Sequence, residues 1–394
     1  MLTEERSQRV VALCQALIQA QSYSGHEDGA AETMKKWLIT LGFDQVIIDG
    51  YGNVIGRIQG RGPGKIILLD GHIDTVPVPD QSKWTHMPYG GEVADGKIFG
   101  RGTSDMKGAV SAMMCAAAYF AADTARDFPG DIYVSGVVHE ECFEGVAARK
   151  VSERIKPDYV VIGEASELNL KRGQRGRAEI VVETFGKPAH SANPHAGINA
   201  VYKMARLITE IGKLKASSHQ VLGEGILELT DIKSSPYPGA SVVPDYCRAT
   251  YDRRLLVGET KESVLAPLQQ LIAAMKESDP QFAASVQFAS GVEKCYTGEE
   301  IRGERFFPGW VLDTDDVFVQ AALSGLRSAG LHPEITQYSF CTNGSHYAGE
   351  AGIRTIGFGP SRENLAHTID EYIEIDQLLK AVEGYYGILG AVLK

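Results

Sequence analysis

The chain has 394 residues, 44% hydrophobic and 23% charged, with a formal net charge of −11. That balance excludes disorder, and the length exceeds what one compact core accommodates, so two domains are expected. The acidic surface disfavours nucleic acid or anionic membrane as the main partner and suits a protein that holds divalent cations.

Six cysteines, at 14, 115, 142, 247, 295 and 341, contain no CxxC pair. They read as reduced, buried small residues of a cytoplasmic protein. The first ten residues show no secretory h-region, and the most apolar segment, 109–122, is too short to span a bilayer.

Thr3 can cap a first helix with Val10, Leu13, Leu17 and Ile18 at helical spacing. A second helix carries Met34, Trp37, Leu38 and Leu41 and stops at Gly42. Residues 46–48 and 54–58 predict short strands joined by a turn at 50–53. The stretch Gly60-Arg-Gly-Pro-Gly-Lys65 resembles a phosphate loop only superficially. A real one follows its strand and opens a helix, whereas this one precedes a strand; a hairpin-like turn is expected.

Residues 66–70 form a continuous apolar run ending in Asp70, the pattern of a buried parallel strand. It passes through Gly71 into His72 and Asp74. These sit two apart and point the same way on an extended backbone, just past a strand end, where open α/β sheets place their chemistry. After a loop-rich stretch at 84–96, Asp105 precedes the buried helix 109–122; taken alone it reads as a helix cap. The strand 131–138 ends in His139-Glu140-Glu141. Adjacent acids repel, and burying both without partners would lower stability. A solvated loop is one reading; the functional one gives them different tasks, one on a metal and the other as a base. A helix near 144–155 follows, then a strand from 159 that stops at Glu164. Three apolar strands each ending in acid or imidazole is a pattern that a solvated surface does not need.

The character changes after Lys171-Arg-Gly-Gln-Arg175-Gly176. A strand at 178–185, a polar turn with His190, a helix at 196–214, strands at 226–232 and 247–256, a helix at 260–276 and a strand at 285–289 follow. That β-α-β-β-α-β order is the ferredoxin-like unit, read here as an inserted domain. The chain then returns to the first domain through a helix at 313–329 and strands at 334–340 and 355–358. A glycine-rich loop ending in His367 and a closing amphipathic helix at 375–393 complete it. The predicted domains are therefore 1–176, 177–293 and 294–394, the first and last forming one α/β domain.

The strand-end groups collect into His72, Asp105, Glu140, Glu141, Glu164 and His367. Zinc, cobalt or manganese accepts such mixed imidazole and carboxylate ligands. Two ions about 3.5–4 Å apart would polarise a carbonyl and ready a bridging water. Two ligands unique to each ion, one bridging carboxylate and one free base account for all six residues. The absence of cysteine favours a catalytic over a closed structural site. Asp74 is expected to accept the other N–H of His72 and fix its tautomer. No Gly-x-Ser-x-Gly elbow supports a serine nucleophile.

These residues resemble the M20 metallopeptidases, among them acetylornithine deacetylase, succinyl-diaminopimelate desuccinylase and carboxypeptidase G2. The matching signatures are Gly71-His72-Ile73-Asp74-Thr75-Val76-Pro77, the Gly100–Gly108 stretch with Asp105, Glu140-Glu141, Gly163-Glu164, and Ala366-His367 before Asp370-Glu371. Within the family the chain looks closest to a bacterial branch linked to selenium metabolism. The resemblance implies a zinc-exopeptidase-like catalytic domain with a mixed sheet and an inserted ferredoxin-like lid that dimerises. It implies that His72 and Glu164 hold one metal, Glu141 and His367 the other, and that Asp105 bridges. It gives Asp74, Glu140 and His190 catalytic roles: Asp74 supports His72, Glu140 is the general base, and His190 reaches into the neighbouring subunit to stabilise the oxyanion.

Relatives bind the substrate carboxylate with an arginine in an Asp-x-Arg strand, which here points to Arg254. Ser241, Asn343 and Arg175 complete the expected substrate-binding set. Relatives often carry Asn where Ser241 stands, and Ser cannot place an amide at the same point. The expected activity is di-metal hydrolysis of a small N-acyl amino acid or dipeptide with a free carboxylate, in a cytoplasmic homodimer. A dipeptidase or carboxypeptidase proper is one alternative; a non-catalytic, metal-dependent scaffold on the same fold is another.

Overall fold

Strand Ile66–His72 runs through the middle of a nine-stranded mixed sheet. Asp131–Val137 and Tyr159–Ile162 flank it, both parallel to it. Across the sheet the order is Gln45–Ile48, Val54–Gln59, Asp131–Val137, Ile66–His72, Tyr159–Ile162, Arg354–Gly357 and Leu170–Gln174, and the last of these also pairs with Trp310–Val311 and Ile335–Tyr338. Because the three central strands are parallel, their C-terminal ends emerge on one side, bringing His72, the segment after Val137 and the segment after Ile162 together. In this computed structural model, which describes residues 2–394, the sheet belongs to a unit of Met1–Gln174, Val292–Arg302 and Val311–Lys394.

Helix Gly108–Asp123 is buried from Gly108 to Ala121. A helix apolar on every side has no solvent face to offer, so it sits inside the unit. It packs against the C-terminal helix Ile375–Val392, which in turn meets Val317–Ser328. The last two approach most closely where a Cβ on Gly325 would lie 2.3 Å from the Gly387 carbonyl oxygen.

The second unit, Arg175–Gly291 with Gly303–Trp310, is built on an antiparallel sheet. Its order is Ile226–Ser235, Tyr246–Leu255, Gly176–Phe185 and Ala283–Phe288. Helices Ala200–Ile211 and Lys261–Ser278 cover one face, burying Ile180, Val182, Met204, Leu207, Ala249 and Leu268. This is the expected β-α-β-β-α-β unit, with a short hairpin before its second long strand. Strand Ile226–Ser235 forms its edge.

Several local expectations shift. Gly60–Lys65 does not close a hairpin: the strands it joins are separated in the sheet by Asp131–Val137. The turn crosses over that strand's start, with Gly60 N donating to the Gly130 carbonyl and Arg61 N to that of Phe128. The helix expected from 313 starts at Val317, because Asp316 caps it by accepting from Phe318 N. The helix expected over 196–214 is Ala200–Ile211, where Asn199 accepts from Val201 N and Tyr202 N. The region read as loop contains strand Glu92–Ala94, which pairs with Lys97–Phe99; that strand also pairs with Tyr372–Glu374. Among the described residues no helix is long and apolar enough to cross a membrane, and none of the six cysteines forms a disulfide; five are buried as expected, while Cys142 is partly exposed.

Candidate metal centre

The ends of the parallel strands place His72 and Glu164 side by side, His72 Nε2 lying 3.4 Å from Glu164 Oε1. Asp105 comes from the irregular turn ahead of the buried helix, not from a capping position. Its carboxylate faces both imidazoles: Oδ1 is 2.9 Å from His72 Nε2 and Oδ2 is 3.1 Å from His367 Nε2. Glu141 Oε2 lies 3.1 Å from His367 Nε2, and Glu140 Oε2 lies 3.9 Å from His72 Nε2. All six strand-end residues therefore converge in the first unit. The His72 side is closed, while His367 has 51% of its side chain exposed, so the cluster opens there.

The electrostatics of this cluster favour cations. Four carboxylates face two imidazoles where water is largely excluded. Burial pushes Glu140 well above the usual carboxylate range, Glu141 up to about 7, and Glu164 upward. Burial also opposes ionisation of Asp105, but hydrogen bonds from His367 and His72 outweigh it and hold Asp105 below its ordinary value. Donating to Asp105, and next to Glu141, in turn raises His367 to about 10. The two imidazoles only partly offset the acids. His72, Glu140 and Glu164 each bring one donor atom within 4.8 Å of the others, as do His72, Asp105 and Glu141. Glu140 Oε1 is buried and has no partner among the described residues. Oxygen and nitrogen donors so arranged fit divalent metal ions, whose charge would relieve the repulsion.

Asp74 meets the second ring nitrogen of His72, and mainly through its backbone. His72 Nδ1 meets the Asp74 backbone carbonyl at 2.9 Å, while the carboxylate is 3.5 Å away. The main-chain oxygen is the nearer acceptor and fixes the tautomer, leaving Nε2 to face the cluster. The Asp74 carboxylate also accepts from Glu140 N, Glu141 N and the Ser24 hydroxyl. It clamps the backbone that carries both glutamates. Asn343 lies in the same unit: it is buried, its Oδ1 accepts from Gly145 N and its Nδ2 donates to Asp70, so its amide braces the scaffold.

The remaining expected residues lie in the second unit. His190 is exposed, and its Nδ1 accepts from Ala192 N, so the neutral ring carries its proton on Nε2. Ser241 lies beside it, its carbonyl accepting from Ser191 N. Arg254 Nε pairs with Asp252 at 2.8 Å and stays partly exposed, whereas Arg253 points to the helix-covered face and is buried against Glu259. Arg175 Nη1 donates to the Glu224 carbonyl. Sequence reasoning missed Ser24, Asp70 and Arg101. Asp70 ends an apolar strand, which was the available signal; it is fully buried and accepts from Ser135, Tyr347 and Asn343.

The profile of peptidase family M20/M25/M40 matches residues 68–391. The chain belongs to that family and is a metallohydrolase acting on amide bonds. It is 33% identical over 360 residues to the uncharacterized protein YgeY of Escherichia coli K12, covering 90% of this chain and 87% of that protein. It is 30% identical over 390 residues to succinyl-diaminopimelate desuccinylase of Cereibacter sphaeroides, covering 94% and 96%. The fold is shared with aminopeptidase PepT of Bacillus cereus, with a TM-score of 0.76, 21% identity and coverage of 98% and 99%. It is also shared with the Bacillus subtilis YXEP protein, described as a dinuclear metal-binding peptidase, with a TM-score of 0.72, 14% identity and 99% coverage of both chains.

Proposed function

We propose that the protein hydrolyses the amide of a small N-acyl amino acid or dipeptide bearing a free carboxylate, using two divalent ions. The observation that carries this is Asp105, whose two oxygens each face a different imidazole. His72 with Glu164 would hold one ion, His367 with Glu141 the other, and Asp105 would bridge. We take zinc as their identity; cobalt and manganese suit the same donors. Bound there, the ions would polarise the scissile carbonyl and acidify the attacking water.

Glu140 is the group left to move the proton. Its Oε1 is buried without a partner, and its backbone is fixed by Asp74, so it takes the water's proton and returns it to the leaving amine. Arg254 would receive the substrate carboxylate, and Ser241 and Arg175 would add polar contacts to the rest of the substrate. The proton on His190 Nε2 would stabilise the oxyanion from a partner subunit of a homodimer. Cysteines without a disulfide among them suit a reducing compartment, the cytoplasm.

The test is reconstitution with zinc, cobalt or manganese followed by N-acetyl, N-succinyl and dipeptide panels. Preference for the peptide panel would favour a peptidase proper. Glu140→Gln should retain both ions yet lose about 10²–10⁴-fold in kcat. Near-normal turnover in that variant would remove Glu140 from the base role, and an inert, fully metallated wild type would return the scaffold reading.

A further inference from the structure

We propose that Glu371, tied to Arg101, is a positioning residue that sets Asp105 between the two imidazoles before any cation arrives. This rests on the reading of Asp105 as the shared ligand, and nothing in the reaction itself uses Glu371.

Glu371 is fully buried. Its Oε1 gathers three backbone donors from one turn: Gly102 N at 3.0 Å, Ser104 N at 2.8 Å and Asp105 N at 3.2 Å. Its Oε2 accepts from Arg101 Nη1 at 2.5 Å. Three N–H groups converging on one oxygen form a concave anion site, here filled by the protein's own carboxylate. Without it those buried donors would be unpaired, at a cost of roughly 1–3 kcal/mol each.

The brace reaches the other side of the cluster as well. Arg101 Nη2 donates to the His367 carbonyl at 3.4 Å, and Gly100 N donates to the Glu371 carbonyl at 2.8 Å. The small sheet adds register, pairing Phe99 with Tyr372. Ser104 Oγ completes the link, lying 2.6 Å from Ser361 Oγ and donating to the Tyr372 carbonyl. One short stretch, 367–371, thus supplies an imidazole and the anchor for the carboxylate facing it. A bridging carboxylate must satisfy two ions at once, so its placement tolerates less error than that of a terminal ligand.

The experiment is a Co²⁺ titration of the metal-free chain, followed by calorimetry and visible absorption. Wild type should bind two ions. Glu371→Gln removes the charge without changing the shape. It should stay folded by circular dichroism, bind at least one ion about 10–100-fold more weakly, and show an altered Co²⁺ spectrum. Gly387→Ala, which destabilises a helix contact away from the cluster, should leave affinity and spectrum unchanged, separating placement from general stability. Wild-type affinity and spectrum in Glu371→Gln would overturn the proposal while leaving the two-ion reading intact. A wild type that binds fewer than two ions would instead overturn the two-ion reading, and this inference with it. Should Glu371→Gln fail to fold, hydrogen exchange in the metal-free wild type decides. Slow exchange of the Gly102, Ser104 and Asp105 amides supports a preset turn, and exchange at open-loop rates overturns it.

Discussion

Asp74 holds two backbone N–H groups and the Ser24 hydroxyl with one buried carboxylate. Asp74→Ala would strand all three donors, so a loss of at least about 1–3 kcal/mol is expected in urea unfolding. The rate should fall too, because Glu140 loses its fixed backbone. Asp74→Asn keeps one acceptor oxygen and should fall between. None of this could be read from the sequence. A side chain that binds backbone amides leaves no partner residue type to find, and His72 was the obvious neighbour only because it is two residues away. His72, Glu164 and the Glu140-Glu141 pair were legible because each interrupts an apolar run. Asp105 and His367 were harder: one imitated a helix cap, the other sat in a glycine-rich loop, and each gained weight only as part of a set of acids and imidazoles that a metal pair would need.

A second residue-scale prediction concerns Glu350. Burial alone would raise its pKa, but hydrogen bonds from His346 and Arg149 prevail and pull it from 4.5 down to about 2. A carboxylate depressed in the folded state stabilises the protein above its unfolded pKa and loses that contribution as the pH falls. The loss here lies between about 4.5 and 2. Urea unfolding across that window should show wild type losing more stability than Glu350→Gln, by on the order of 1 kcal/mol for this partly exposed group.

At the scale of elements, periodicity located the helices and strands, while their ends followed capping that composition obscured. Asp316 and Asn199 start their helices later than the apolar pattern suggested, since each side chain offers the first free N–H groups an acceptor. The Gly60–Lys65 turn misled because sheet neighbours are a long-range property; two strands adjacent in sequence were split by a third. Contacts between helices were equally hidden. Gly325 and Gly387 let Val317–Ser328 and Ile375–Val392 approach backbone to backbone, and a Cβ on Gly387 would sit 2.3 Å from the Gly325 carbonyl oxygen. Gly387→Ala should therefore cost about 1–3 kcal/mol by thermal or urea unfolding, with the metal titration unaffected.

At the scale of the whole molecule, the inserted unit was visible as a change of pattern after Gly176, because a complete β-α-β-β-α-β sequence buries its own core. Its edge strand Ile226–Ser235 is long and carries exposed Ile226 and Ile232. An open edge of this kind is a template for pairing, and we place the proposed homodimer contact there. Ile232→Lys should shift sedimentation from dimer to monomer. If His190 acts across the dimer, kcat should fall in parallel while the metal content stays constant.

The order of the segments along the polypeptide has a further effect during synthesis. The cluster draws on residues from His72 to His367, with an independently cored unit between them. Units that contain their own core fold as they leave the ribosome, so the inserted unit can mature while the sheet around it still lacks Arg354–Gly357 and the final helix. A nascent chain therefore lacks His367 from the cluster until well after the inserted unit has left the ribosome.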